Sequence, residues 1–153
     1  MMRHRYSEIE KWILIYTNRA RKKRGIKPLK SNFGLKKLAR SHSRRMTNTR
    51  KIWHGNGVSK AKSSISKSSF WDFIRSLLYL GISGENVGLM YTGRVKGFKR
   101  KIKTDKDIAL AQHLSWMRSS EHRKNILNRS FRLLGVGVKK RGKAFYCTQI
   151  FYG

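Results

Sequence analysis

The chain has 153 residues, 39% of them hydrophobic, with seven Phe, six Tyr and four Trp, which is enough for one core and too rich for a disordered tail. Thirty-seven Lys and Arg against seven Asp and Glu leave a formal charge of +30. Self-repulsion on that scale excludes an ordinary charge-balanced enzyme surface and implies an anionic partner that screens it.

In chain order, Ser7-Glu8-Ile9-Glu10 reads as a capping box. Tyr6, Ile9, Ile13 and Tyr16 follow at helical spacing, and Gly25 is a stop, so a first helix is predicted over 7–24. Ile26-Lys27-Pro28-Leu29 is extended around the only proline. Leu35, Leu38, Ala39, His42 and Met46 then mark one face of a second helix, and Lys36, Lys37, Arg40, Arg44 and Arg45 the other. Residues 55–69 are Ser-, Gly- and Lys-rich and read as a loop. Phe70, Phe73, Ile74, Leu77 and Leu78 predict a short buried helix ended by Gly81, and residues 84–87 begin a tight segment. After a basic stretch at 93–103, Asp105 and Asp107 are candidate caps of a helix whose face uses Ile108, Ala111, Leu114 and Trp116. Two strands, 134–138 and 144–151, close the chain around a Gly-containing turn at 139–143.

No separable tail carries the charge: basic residues number sixteen in 1–50, nine in 51–100 and twelve in 101–153. One cysteine, Cys147, excludes an intramolecular disulfide and, alternating with Phe145 in a strand, reads as core. Trp53, Trp71 and Trp116 read as core as well. Met1 and Met2 look like a native start, residues 12–16 lack the flanks of a signal peptide, and no apolar run reaches the roughly 20 residues of a membrane span. These features lead to the expectation of a cytoplasmic chain, with secretion as the alternative.

A set of spaced elements runs through the sequence. It comprises Asn18-Arg19, Gly25 with Pro28-Leu29, Leu35 with Ala39, His42-Ser43 and Met46, His54, and Gly84-Glu85-Asn86-Val87. It continues with Trp116 and Ser119, His122-Arg123-Lys124-Asn125-Ile126-Leu127, Gly135-Val136-Gly137-Val138 and Thr148-Gln149-Ile150-Phe151. From about residue 8 to 152 this order and spacing resembles the CAP superfamily, also called the SCP or PR-1-like domain, in its compact prokaryotic form. The resemblance implies an α+β fold: a three-layer α/β/α sandwich with helices around a small, mainly antiparallel sheet, formed by residues 1–153 as a single domain. It further implies that His54, Glu85 and His122 converge on a central cleft.

Two histidines and a carboxylate can hold Zn²⁺ with an open position, shuttle protons to a bound water, or tie the fold together through hydrogen bonds. No resident cofactor is expected, zinc on His54 and His122 being the alternative. The chain departs from the family where larger members carry a second cleft carboxylate: Ser119 stands there, and Glu121, adjacent to His122, points roughly 100° away from it on a helix. Roles known in the family include lipid or sterol binding, metal binding and protein contacts, and catalysis is not general. Gly135-Val136-Gly137-Val138 lacks a following helix and is not a dinucleotide loop.

The charge leads to the expectation of a non-catalytic, ribosome-associated RNA binder in contact with ribosomal RNA and neighbouring ribosomal proteins. Three clusters are the expected contacts: Arg19, Arg21, Lys22, Lys23 and Arg24; Arg40, Arg44, Arg45, Arg50 and Lys51; and Arg94, Lys96, Lys99, Arg100, Lys101 and Lys103. His113 and Tyr91 are candidate base-stacking residues. The alternative is a CAP-type cleft protein, a hydrolase or a metal or lipid binder, attached to an anionic cell surface.

Overall fold

The computed structural model describes residues 4–55 and 82–153. The expected helix around Phe70 to Leu78, Trp71 and most of the 55–69 loop lie outside the described residues. Among the described residues four helices and four strands occur in the order α1 (Tyr6–Lys22), β1 (Lys30–Ser31), α2 (Phe33–Thr49), β2 (Ser83–Tyr91), α3 (Asp105–Arg118), α4 (Ser120–Ile126), β3 (Leu133–Arg141) and β4 (Ala144–Tyr152). The sheet order is β1-β3-β4-β2, antiparallel except where Lys30 and Ser31 pair parallel to Leu133 and Leu134. Helix α2 covers one face, and α1, α3 and α4 cover the other. This is the α/β/α sandwich.

Strand β4 has a neighbour on each side and a helical layer on each face, so all nine of its residues are buried. Its period-2 alternation sends Phe145, Cys147 and Phe151 into the larger core with Trp116, Ile9, Ile13 and Phe131. Tyr146, Ile150 and Tyr152 face α2 instead. Each large side chain fully withdrawn from water there contributes about 2–3 kcal/mol. The hairpin turn between β3 and β4 is tighter than expected, with Gly142 at φ 58° beside Lys143.

Gly135 and Gly137 are the reason α2 can lie on the sheet. A Cβ on Gly135 would overlap the backbone of Leu35, and one on Gly137 the backbone of Ala39. The Gly-Val-Gly-Val pattern is therefore a close-packing device.

Several local expectations are corrected. The first helix begins at Tyr6 with Arg5 as an N-cap that makes no side-chain cap bond; Glu10 turns inward instead of closing a capping box. The supposed tight segment at 84–87 belongs to β2, whose Gly, Glu and Asn content disguises a strand. Thr104, not an aspartate, caps α3, and Asp107 completes a capping box with it. Leu114 is 37% exposed, while Gln112 and His113 take the inward places.

Candidate functional site

The His54, Glu85 and His122 side chains meet at the β2 edge of the sheet, where the two helical layers approach one another. From the α2 layer, Arg50 adopts a left-handed φ of 56° that ends the helix and redirects the chain into residues 51–55. His42 anchors this strap: its Nε2 lies 2.9 Å from the Trp53 carbonyl oxygen, and its ring meets the Trp53 ring edge-on at 4.5 Å. Gly55 passes so close to the His42 ring that any Cβ would collide with it. The strap thus delivers His54 to Glu85, with His54 Nδ1 3.5 Å from Glu85 Oε1.

From the other layer, α4 presents His122. Asn86 fixes that helix by donating to the His122 carbonyl at 3.1 Å and to Gln149 Oε1 at 3.1 Å, while Asn125 donates to Asn86 Oδ1 at 2.9 Å. Gln149 in turn donates to Thr17 Oγ1 at 2.9 Å, tying β2, β4, α1 and α4 into one buried network. In the sequence Asn86 and Gln149 stand out only as members of the family motif; their pairing across β2 and β4 is what gives them a role. Rings of His54 and His122 stack with centroids 6.0 Å apart. The resulting cleft, about 250 Å³, is lined by these two histidines, Glu85, Glu121, Lys124 and Asn125. Glu121 reaches it because Ser119 is extended and α4 starts a new helix.

Glu85 is the unusual group. Its side chain is 13% exposed, Oε1 accepts the Gly55 N–H at 2.9 Å, and Oε2 has no hydrogen-bond partner among the described residues. Burial raises its pKa against the lowering effect of the Gly55 amide and of His54. Burial, reinforced by His54, lowers the pKa of His122. The cleft therefore sets a carboxyl that holds its proton more tightly than a free side chain beside an imidazole that holds its proton less tightly. Such a pair can donate to and accept from one polar group. The Zn²⁺ alternative fits less well. Among the described residues no three His, Cys, Asp or Glu side chains gather so as to hold a metal ion, and Glu85 Oε1 is already engaged. No step is derived through a metal.

The expected RNA-contact clusters do not share one environment. Arg21 is fully buried and donates to the carbonyls of Lys27, Ile126, Asn128 and Phe131 at 2.8–3.1 Å. It ties α1 to the segments flanking β1 and β3 and has no surface for a partner. Arg40 makes a two-pronged pair with buried Glu10, Nε to Oε1 at 2.9 Å and Nη2 to Oε2 at 2.6 Å. Arg19 and Arg45 lie over the Tyr16 and Trp53 rings, each 5.6 Å from the centroid. Lys22, Lys23, Arg24, Arg44, Lys51, Arg94, Lys96, Lys99, Arg100, Lys101 and Lys103 are exposed. His113 is buried and stacked on Tyr16, with its pKa lowered by burial to about 4, so it cannot stack on a base; Tyr91 is 45% exposed.

Fold and cleft together define a CAP-type sandwich. The profile described as CAP, cysteine-rich secretory protein family, matches residues 14–151, and the chain belongs to that family. It is 33% identical over 147 residues to the uncharacterized protein YkwD of Bacillus subtilis strain 168, covering 96% of this chain and 48% of that protein. The chain thus spans about half the length of this curated relative. Among solved structures it is similar to an extracellular protein containing a SCP domain from Bacillus anthracis, at 25% identity and a TM-score of 0.60 over 95% of this chain and 40% of that one. It also shares its fold with an outer surface protein of Borrelia burgdorferi, at 14% identity and a TM-score of 0.64 over 95% of this chain and 92% of that one.

These matches overturn the expected RNA-binding, ribosome-associated role. The family is described as one of cysteine-rich secretory proteins, and the Bacillus anthracis relative as an extracellular protein. Charge alone could not separate nucleic acid from other polyanions, because counterion release is insensitive to what bears the phosphates or carboxylates. No helix of the described residues is long and apolar enough to cross a membrane, and Cys147 is buried and unpaired.

Proposed function

We propose that this chain acts outside the cell or at its surface, as a CAP-type binding cleft held to an anionic surface by its own charge. The observation that carries the reading is Glu85: a nearly buried carboxyl with one oxygen unpartnered among the described residues, set beside two imidazoles in a space of about 250 Å³. A buried polar atom left unpaired costs about 1–3 kcal/mol, and a ligand hydroxyl or carbonyl in the cleft would recover it. The extracellular Bacillus anthracis relative supports the location. Most of the charge lies on exposed side chains, while Glu10 and Glu85 are drawn inside, and this supports attachment.

Fractionation of cells producing the full chain tests the location and the attachment. The protein is expected in the medium or on the envelope, released from the latter by about 1 M salt, where screening shortens to about 3 Å. Recovery in the soluble cytosol overturns both. For the cleft, small hydroxyl- and carboxyl-bearing solutes should shift the His54 and His122 ring resonances in the wild type and not in Glu85→Gln. Equal response of the two proteins refutes the cleft assignment.

A further inference from the structure

The opposite edge of the sheet carries a larger concavity, about 1200 Å³, enclosed by the first turn of α1, the outward side of α2 and the outer half of β3. Among the described residues no strand continues past the two-residue β1 to cover β3. Among the described residues its one acidic lining residue is Glu10, 2% exposed and fully engaged. It accepts both prongs of Arg40 and the Val138 N–H at 3.2 Å, with Lys36 Nζ at 3.5 Å.

Around that neutralised floor stand Arg5, Lys37, Arg44, Lys139 and Lys140. Lys139 Nζ lies 5.0 Å from the Tyr6 ring centroid and Lys140 Nζ 5.5 Å from that of Phe145. Aromatic faces position an ammonium without cancelling its charge, so these two cations are held in place for another anion. A concavity lined by one sign of charge focuses field and concentrates counter-ions.

We propose that this groove binds successive phosphate groups of an extended, phosphate-linked anionic chain. Mixed Arg forks and Lys point charges suit phosphate oxygens. Cations distributed over about 1200 Å³ exceed what one phosphate can engage, and a flat bilayer cannot enter a groove. The inference rests on the surface-attachment reading above and assigns that attachment to one site.

The test is calorimetric titration of the full chain with orthophosphate, tripolyphosphate and longer inorganic polyphosphate, using two triple variants that each remove three charges. One is Arg44→Ala with Lys139→Ala and Lys140→Ala; the other is Lys22→Ala with Lys23→Ala and Arg24→Ala, exposed at the far end of α1. Affinity should rise with chain length, fall about tenfold or more in the groove variant, and fall no more than about twofold in the other, with both variants melting as the wild type does. Equal losses, or none in the groove variant, overturn the proposal. So does groove-dependent binding of phosphatidylglycerol vesicles without groove-dependent binding of polyphosphate, which would assign the site to a lipid headgroup. A groove-dependent preference for polyuridylate over polyphosphate of equal charge also refutes it. If the groove variant still sediments with cell envelopes as the wild type does, this site falls while surface attachment stands.

Discussion

At the β2 edge a carboxyl is set beside two imidazoles and left partly unpaired; at the β3 edge a carboxylate is ringed by cations and saturated with bonds. The Glu85 side chain is 13% exposed and that of Glu10 2%, yet one lines a cleft beside two imidazoles while the other pairs with cations in the floor of a basic groove. In a chain with only seven acids, where each one is buried decides the local chemistry. The charge total does not.

The largest expected effect is at the β3 edge. Glu10→Leu removes the acceptor shared by Arg40, Lys36 and the Val138 N–H, and should lower unfolding free energy by about 3 kcal/mol in a urea titration. The His54 and His122 ring resonances should stay where they are. A loss under about 1 kcal/mol would erase the distinction drawn between the two edges.

A second, smaller effect concerns the layer packed on β2. The pKa of His113 is about 4 in the folded chain against 6.5 for the free side chain, so the unfolded state binds more protons between those values. Stability is full above about pH 6.5 and declines as pH falls toward 4, by about 2 kcal/mol at pH 5 from this residue. His42 and His122, also shifted downward by burial, add losses of the same sign. Urea midpoints at pH 7 and pH 5 should differ less in His113→Phe than in the wild type; an unchanged difference would clear His113 of the effect.

The smallest effect is at Glu85. A folded carboxyl pKa raised above the unfolded one means that stability declines as pH rises through the interval between the two. Glu85→Gln cannot ionise, so at pH 7 it should match the wild type or exceed it by less than about 1 kcal/mol in thermal melts. Marked destabilisation would show that the ionised carboxylate holds the strap, making the two edges alike.

Much of the fold was legible because it follows from periodicity. Ile9, Ile13 and Tyr16 recur at helical spacing and are buried, as are Leu35, Ala39, His42 and Met46, and the β-branched and aromatic alternation of the closing hairpin is the observed one. The ordered motif alone implied that His54, Glu85 and His122 converge on one cleft. Strand β2 stayed hidden because Gly84, Glu85 and Gly88 are poor strand formers whose fitness comes from neighbours: Asn125 and Phe131 crowd Gly84, and Gln112 crowds Gly88.

Sequence by itself determined the net charge, the period of α1 and α2, the final hairpin and the family. Tertiary structure alone decided which charges are interior. Arg21 reads as one of a run of surface cations, and Glu10 as part of a helix start; their partners are Ile126 and Phe131 for one and Arg40 and Val138 for the other. A helical period fixes which side of an element a residue occupies, but whether that side meets water, a carbonyl or an opposite charge depends on segments brought back from far along the chain. For the same reason the +30 could announce an anionic partner without saying where on the molecule it binds.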